Sequence, residues 1–324
     1  MLLFIAFPII SVVLQSLYVA HEQVIVSVQS CGPFGCTEST KIDTDATAAL
    51  RAAQPLGRWA GLTTYLDRGH LAVSEVAAEW QAAGSTGAFL GRLINLPFYK
   101  AMFFTLSYTF IVTPLTLIFG FAIAVAVNSA ARALRGPLIF FTLLPMIVTP
   151  LVGSLILFWM IDARGILGAA LQWAAGDPDL SVKASTPLTW IMLMVYGVWH
   201  AAPFAFIVYY AGLQTVNKET LEAAVIDGAS RWERIRYVVL PHLLPLTTFI
   251  ALIQLMDNFR VFEPIVSFSA QAHATSLSWA IYNDLGGETR QLSSAAATSV
   301  LTIIGVAILL SPVLVRTWRD FSRK

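Results

Sequence analysis

The chain has 324 residues, of which 57% are hydrophobic and 12% are charged, and its formal net charge is +1. Soluble domains contain roughly 45–50% apolar and about 25% charged residues. With a mean hydropathy of +0.71, a soluble protein of this length would lack the polar surface to cover itself. The composition therefore predicts a polytopic membrane protein, and the balanced charge gives no reason to expect nucleic-acid binding.

The chain opens with an apolar run, Leu2 to Ala20, which is long enough to cross a bilayer because a helical span takes about 20 residues. A cleaved signal peptide is the alternative interpretation. The run lacks the basic residues that precede the apolar part of a signal peptide. We therefore expect a first transmembrane helix over residues 1–20.

A polar and mixed segment follows, residues 21–98, with a predicted helix over Leu71 to Ala83. We expect residues 21–55 to form either a small extracytoplasmic cap or a loosely ordered loop. The chain's two cysteines, Cys31 and Cys36, lie here. If the segment is extracytoplasmic, they form a local disulfide or remain two free thiols. We expect no metal site.

Five more apolar runs complete an expected all-α fold with six transmembrane helices and a long extracytoplasmic loop after the first. Prolines inside these runs are tolerated where neighbouring helices satisfy the freed carbonyls. Six spans place both termini on one side of the membrane. The five runs are Met102–Val127, Leu138–Ile161, Pro187–Gln214, Leu246–Phe268 and Ser293–Val315.

The distribution of Lys and Arg in the short loops predicts the orientation. Ten of them lie in residues 128–137, in residues 215–245 and in the C-terminal tail, whereas the short loops on the other side hold three. Cytoplasmic loops carry the excess of basic residues. We therefore expect both termini and residues 215–245 in the cytoplasm. The expected domains are 1–20 (first helix), 21–98 (extracytoplasmic loop or cap), 99–315 (five-helix core with the loop 215–245) and 316–324 (cytoplasmic tail).

The stretch Glu222 to Pro241 is unusually polar for this chain. Its start predicts a helix, and Asp227-Gly228 predicts a sharp turn because glycine tolerates a positive φ. Ser230 and Glu233 have the spacing of a capping box, which predicts a second short helix. Pro241 and Pro245 are expected to end that helix.

This stretch resembles the EAA loop of binding-protein-dependent ABC importer permeases, and the run from Trp199 to Leu213 is similar to their sugar-permease branch. We call residues 215–245 the EAA loop. The resemblance, from about Gly57 onward, implies that the loop docks on a cytoplasmic ATPase, with Asp227 fixing the turn through backbone amides. The positions that match the family pattern are Glu222, Ala223, Ala224, Asp227, Gly228, Ala229, Leu240 and Pro241.

The family implies several partners in the bacterial inner membrane. They are a second permease subunit that is a different chain, two cytoplasmic ATPase subunits, an extracytoplasmic solute-binding protein and the lipid bilayer. The implied substrate is a sugar, polyol or glycoside, with glycerol phosphodiester-type substrates left open. Members normally carry a charged cytoplasmic leader before the first span. Its absence here suggests a truncated or alternative start.

The sequence contains no site for ATP of its own. It lacks the Gly-x-x-x-x-Gly-Lys-Ser/Thr pattern that cradles phosphates, and no serine elbow, His-Glu-x-x-His pattern or paired catalytic carboxylates stand out. We therefore expect a transport subunit that is not an enzyme and binds no cofactor, with ATP-Mg bound by the partner subunits.

Polar residues in the fifth predicted span are candidates for the substrate pathway, because ionisable groups at membrane depth must be paired or face water. Pairs of Asp257 with Arg260 and of Arg260 with Glu263 are expected from their i, i+3 spacing. An ion-pair ladder that only locks this helix to a neighbour is the structural alternative. The pathway candidates are Gln254, Asp257, Asn258 and Arg260, with Tyr196, Trp199 and His200 from the fourth span as residues that either stack on sugar rings or anchor the helix at the interface.

An ion-gradient-driven secondary carrier is the alternative function, with Asp257, Arg260 and Glu263 as its relay. A carrier has no use for a docking motif, and the two halves of the chain show no inverted repeat. A membrane-embedded enzyme is a third hypothesis, and the sequence supplies no catalytic constellation for it.

Overall fold

The computed structural model describes residues 2–21, 24–32, 35–287 and 290–322. Most of them are helical, with two short antiparallel pairs of strands near the N-terminus. The elements are α1 (Leu2–Ser16), β1 (Tyr18–Val19), β2 (Ile25–Gly32), β3 (Gly35–Ile42), α2 (Thr44–Ala53), β4 (Arg58–Trp59), α3 (Thr63–Leu66), α4 (Val73–Ala82), α5 (Thr86–Leu93), α6 (Pro97–Ser129), α7 (Arg132–Ile147), α8 (Pro150–Met160), α9 (Ile166–Ala175), α10 (Thr186–Leu213), α11 (Lys218–Ile226), α12 (Arg231–Arg234), α13 (Leu240–Phe259), α14 (Glu263–Ser267), α15 (Leu277–Gly286) and α16 (Leu292–Ser322).

Four helices in the described part of the chain are long and apolar enough to cross a membrane, and a bent pair makes up to five. Three predicted spans are confirmed in α6, α10 and α16. The first predicted span corresponds to α1, which has 15 residues and is followed by β1. At 1.5 Å per residue, a helix of that length covers only about 22 Å. The count of six spans therefore stays a prediction.

The second predicted run of the core, Leu138–Ile161, is not one straight helix. It is divided between α7 and α8, which are bent by 95° relative to each other. Pro150 is the first residue of α8, and Thr149 before it is extended, with φ −61° and ψ 145°. A proline lacks the amide hydrogen and disfavours a helical residue before it, so the break occurs where the sequence has Thr149-Pro150.

The predicted boundaries of the fifth span were wrong at both ends. Helix α12, a π-helical turn at Ile235–Val239 and α13 form one span from Arg231 to Phe259, so neither Pro241 nor Pro245 ends the helix. The Leu240 amide bonds to the Ile235 carbonyl, five residues back, at the wider turn of a π-helix. We attribute the tolerance of Pro241 to this local widening. After Phe259 the chain leaves the helix and restarts with α14.

The described chain divides into two compact units. The first comprises Met1–Lys100 and Ala280–Ile304. In it β1 pairs with β4, and the Tyr18 and Trp59 rings meet edge to face with centroids 5.1 Å apart. The strands β2 and β3 pair in antiparallel register and α2 follows them, so residues 21–55 contain regular structure. Whether this segment lies outside the membrane stays a prediction.

Cys31 and Cys36 are directly opposite each other in the register of β2 and β3. Their side chains lie outside the described part, so the disulfide stays a prediction. In the same unit His70 is buried, and its Nε2 lies 3.1 Å from the Ser294 carbonyl oxygen. The Ser294 hydroxyl donates to Asp284 at 2.6 Å. These bonds join the N-terminal segment to the region of α15 and α16, a connection that the sequence did not indicate.

The second unit comprises Ala101–Trp279 and Gly305–Lys324 and contains two buried apolar clusters. One is built around Phe104, Leu193 and Ile265, and the other around Phe206 and Leu243. Side chains of α6 and α10 contribute to both, so these two helices form the centre of the unit. Between helices surrounded by lipid, such side chains stabilise the unit through van der Waals packing rather than through removal of apolar surface from water.

A polar link stabilises the segment after α8. The Lys183 ammonium donates to Asp162 at 2.8 Å and lies 3.3 Å from the centre of the Phe158 ring. The hydrogen bond from Lys183 lowers the pKa of the Asp162 carboxyl below its ordinary value. The carboxylate is therefore ionised at neutral pH, and the pair connects the end of α8 to the turn before α10.

Candidate functional site

The first half of the EAA loop is a helix with well-formed ends. The Asn217 side chain accepts a hydrogen bond from the Glu219 amide at 2.9 Å and caps the start of α11. At the other end, Gly228 has φ +80° and its amide donates to the Val225 carbonyl at 3.0 Å. The Ala229 amide donates to the Ala224 carbonyl at 2.9 Å. This pair of bonds is a Schellman motif, which requires a left-handed residue at the glycine position.

The turn therefore confirms the predicted positive φ of Gly228 but not the predicted action of Asp227. Among the described residues, its carboxylate makes no hydrogen bond to the amides ahead of α12. The two backbone bonds of the Schellman motif fix the turn instead. Asp227 is the last residue of the helical turn, with φ −70° and ψ 0°.

The second half of the EAA loop begins with the predicted capping box. The Ser230 hydroxyl accepts from the Glu233 amide at 3.3 Å, and the Glu233 carboxylate accepts from the Ser230 amide at 2.7 Å. These two bonds satisfy amides that a helix start leaves free. The element is thus two capped helices joined at one glycine, and the second continues into the span α13.

The exposed surface of the EAA loop carries large apolar side chains. Ile226 is 85% exposed and Trp232 68% exposed, and Val225 is also exposed. Glu222, Ala223, Asp227, Gly228, Leu240 and Pro241 are exposed, whereas Ala224 and Ala229 are partly buried. Contiguous exposed apolar groups rimmed by polar ones are typical of a protein interaction surface. The sequence prediction named the motif positions but missed Ile226 and Trp232.

A cavity of about 600 Å³ lies in the second unit. Its walls come from α6, α10, the C-terminal half of α13, the segment between α13 and α14, the start of α14, and the junction of α7 with α8. The residues that line it are Tyr108, Met146, Pro150, Tyr196, Gly197, His200, Ala201, Phe204, Ile253, Gln254, Asp257, Asn258, Arg260, Val261, Glu263 and Pro264.

The break between α7 and α8 forms part of the cavity wall. The Tyr196 hydroxyl donates to the carbonyl of Pro150, the first residue of α8, at 2.8 Å and so connects α10 to this junction. The Ser154 hydroxyl donates to the same carbonyl at 2.6 Å. A Cβ atom at Gly153 would lie 2.9 Å from the Tyr196 hydroxyl, so glycine permits this contact. Irregular backbone at membrane depth is tolerated where it lines a cavity.

Some polar side chains of the cavity are held by hydrogen bonds, and others have no hydrogen-bond partner among the described residues. Asn258 is buried and its amide donates to the Thr113 hydroxyl at 3.0 Å. Gln254 is 5% exposed, and the described residues supply no hydrogen bond to its amide. The Nε2 atom of His200 is buried and has no partner there either. Such atoms cost free energy unless water or a ligand satisfies them.

Of the two ion pairs predicted among the charged residues of the cavity, the described structure contains one. Arg260 donates to Asp257 at 2.8 Å, which confirms that pair. The second expected pair, Arg260 with Glu263, is absent from the described ion pairs. The reason is the end of α13 at Phe259: without a continuous helix, the i, i+3 spacing no longer puts the two side chains on one face. Both members of the formed pair are about half exposed.

The structure brings most of the pathway candidates together and separates one. Gln254, Asp257, Asn258, Arg260 and Tyr196 line the cavity. Trp199 does not. It lines a separate, largely apolar groove between α6, α7 and α10, where its side chain is 48% exposed. Tyr196 and Trp199 are three residues apart, or about 60° around the helix, and their ring centroids lie 5.9 Å apart, so the two rings adjoin while Trp199 lies on the side of the groove.

Sequence reasoning missed Tyr108 as a lining residue. A signal for it exists in α6, where Thr105, Thr109, Thr113 and Thr116 recur every three or four residues in an apolar helix. All four are buried. Polar residues with helical spacing mark the face of a membrane helix that turns away from lipid. Tyr108 lies close to this face.

Comparison with known proteins identifies the family. Residues 83–319 match the model of the binding-protein-dependent transport system inner membrane component. The match covers well over half of the chain and includes the EAA loop, the cavity and five of the predicted spans in full. The chain belongs to this family. It is thus an inner-membrane permease subunit with several spans and the type I fold of ABC importer permeases.

Individual relatives agree with this placement. The trehalose/maltose transport system permease protein MalF of Thermococcus litoralis is 27% identical over 67% of this chain and 73% of its own length. The sn-glycerol-3-phosphate transport system permease protein UgpA of Rhizobium meliloti is 30% identical over 61% of this chain and 69% of its own length. A bacterial ABC transporter involved in the import of the acidic polysaccharide alginate has the same fold, with TM-score 0.63 and 19% identity over 84% of this chain and 95% of that one.

Permeases of this family are transport components, and ATPase activity lies in separate subunits. The permease described here therefore needs a surface that contacts an ATPase and a path for the solute. The EAA loop and the cavity are the two candidates that its geometry offers.

Proposed function

We propose that this permease moves a sugar, polyol or glycoside into bacteria by alternating access, coupled to a separate ATPase through its EAA loop. The observation that carries the proposal is the form of that loop: two capped helices, joined at a left-handed glycine, run directly into a membrane span. A push or pull on α11 and α12 is transmitted along α13, because no flexible segment separates α12 from the residues of the cavity.

The contact with the ATPase would be made by the exposed side of the EAA loop. Ile226 and Trp232 supply apolar area, Glu222 can accept hydrogen bonds, and the small Ala223 lets a partner surface approach closely. The excess of Lys and Arg near this loop supports a cytoplasmic location for it, together with both termini. ATP-Mg would be bound by two ATPase subunits in the cytoplasm, and this chain would bind no cofactor.

The solute would pass through the cavity. The unpaired Gln254 amide and the His200 Nε2 can exchange hydrogen bonds with hydroxyl groups, and the Tyr196 ring offers an apolar face for a sugar ring. The names of the trehalose/maltose and sn-glycerol-3-phosphate relatives support a small polyhydroxylated solute. A second permease subunit, a different chain, would close the open side, and a solute-binding protein would deliver the solute from outside.

The secondary-carrier alternative has less support. Its relay needs Asp257, Arg260 and Glu263 in series, but within the described structure only the first two are paired. Nothing in that alternative gives the EAA loop a role.

ATP-driven uptake tests the proposal. We expect liposomes that contain the permease with its ATPase and partner permease to accumulate a solute, presented by the binding protein, when ATP is supplied and no ion gradient exists. Asp257→Asn should retain this uptake to within about 10-fold, because an exposed ion pair contributes only about 0–1 kcal/mol. Uptake that requires a proton or sodium gradient, and that Asp257→Asn abolishes, would favour the carrier.

A further inference from the structure

The charges of the cavity restrict the kind of solute that it accepts. Three of its lining residues carry a formal charge: Asp257, Arg260 and Glu263. Arg260 and Asp257 form an ion pair with a 2.8 Å hydrogen bond and cancel each other. Glu263 has no ion pair within the described residues and is exposed, so the net charge of the lining is −1.

An anionic solute would find no free cation in this lining. Proteins bind phosphate and carboxylate groups with unpaired Arg or Lys side chains, often in bidentate geometry. Arg260 is the one Arg or Lys among the described residues that line the cavity, and Asp257 already accepts its hydrogen bond. A phosphate or carboxylate would have to displace Asp257 and would still meet the Glu263 carboxylate.

The remaining polar groups suit an uncharged solute with hydroxyl groups. The amide of Gln254, a residue that is 5% exposed, is both a donor and an acceptor, and the buried Nε2 of His200 has no partner among the described residues. A carboxylate such as Glu263 accepts hydrogen bonds from hydroxyls without any requirement for positive charge. Each of these groups can be satisfied by a polyol or sugar ring.

We propose that the cavity takes an uncharged polyhydroxylated solute and discriminates against anionic ones, and that Glu263 sets this discrimination. The proposal rests on the proposed function, since it concerns the solute of the same transport path. By the charge of the solute, the proposal separates this permease from the relatives whose names specify an anionic solute, sn-glycerol 3-phosphate or the acidic polysaccharide alginate. It places this permease with the trehalose/maltose relative, whose named solutes are uncharged.

Direct binding to the assembled importer tests it. The complex of permeases and ATPases, in nanodiscs without the binding protein, is dialysed to equilibrium against radiolabelled trehalose, maltose or sn-glycerol 3-phosphate. We expect wild type to bind a neutral sugar at least about 10-fold more tightly than sn-glycerol 3-phosphate. Glu263→Gln should reduce that ratio several-fold, and Glu263→Lys should reduce it further or reverse it. Glu75→Gln, the same chemical change on α4 in the first unit, should leave the ratio unchanged.

The possible results distinguish the charge selectivity of the cavity from the proposed transport function. Equal or tighter binding of sn-glycerol 3-phosphate by wild type would overturn the inference while leaving a sugar-type importer in place. A ratio that Glu263→Gln changes no more than Glu75→Gln does would show that Glu263 does not set the selectivity. If wild type binds neither the neutral sugars nor the glycerol phosphate, the inference fails, whereas the proposed function is decided separately by the ATP-driven uptake assay.

Discussion

The variant Gly228→Pro is expected to lower ATP-dependent uptake at least about 100-fold while leaving membrane insertion intact. Proline holds φ near −65°, whereas Gly228 has φ +80°, and it lacks the amide that bonds to the Val225 carbonyl. The cost of forcing the native turn is about 3 kcal/mol or more, so the turn between α11 and α12 rearranges instead. Uptake into proteoliposomes, with membrane integration measured in parallel, is the assay.

Gly176 provides a matched control for this change. It also follows a helix with positive φ, at +67°, its amide bonds to the Trp173 carbonyl, and an added Cβ would meet nothing within 4 Å. Gly176→Pro therefore brings the same local cost to a turn outside the EAA loop. We expect it to retain most of the uptake. Normal uptake by Gly228→Pro, or an equal loss in both variants, would contradict a specific coupling role for the loop.

Removing the amide of Gln254 is expected to lower uptake about 10- to 100-fold without changing the ATPase activity that the complex shows in the absence of solute. Gln254 is almost fully buried in the cavity wall, and the described residues leave its amide without a hydrogen bond. A solute hydroxyl that pairs with it would lose about 1–3 kcal/mol if the amide were absent. Gln254→Met keeps the length and volume of the side chain, so the packing of α13 is preserved.

The control for that variant is Gln81→Met on α4, where the side chain is exposed and belongs to the first unit. It should transport at the wild-type rate. An unchanged uptake rate for Gln254→Met would show that the solute does not touch this wall of the cavity. A loss of uptake accompanied by loss of the folded complex, seen by size-exclusion chromatography, would assign Gln254 a packing role instead.

The sequence predicted the parts of this molecule that depend on local chemistry. Composition identified a membrane protein, and the apolar runs predicted α6, α10 and α16 closely. The spacing of Ser230 and Glu233 predicted a capping box, and Gly228 predicted a left-handed turn. Both follow from the conformations and hydrogen bonds that residues close in sequence prefer, so they can be inferred without tertiary structure.

The parts that depend on distant contacts were predicted poorly. Pro241 was expected to end a helix, but a π-helical turn before it accommodates the ring. Pro150 breaks a helix that apolar length alone suggested was continuous, and Tyr196, 46 residues away, donates a hydrogen bond to the Pro150 carbonyl at the break. The Arg260–Glu263 pair failed because the helix ended earlier than the hydropathy indicated. Hydropathy reports burial in lipid or protein and contains little information about where a helix bends.

Disulfide crosslinking from the EAA loop tests the central claim most directly. In a variant with Cys31→Ser and Cys36→Ser, a single cysteine is placed by Ile226→Cys, where the native side chain is 85% exposed, and single cysteines are placed on the ATPase surface. Trp173→Cys, at an equally exposed position on α9, is the control. We expect the assembled importer to crosslink to the ATPase from position 226 and not from position 173. Failure of every position-226 pair, or accessibility of that cysteine only from outside the cell, would contradict the account.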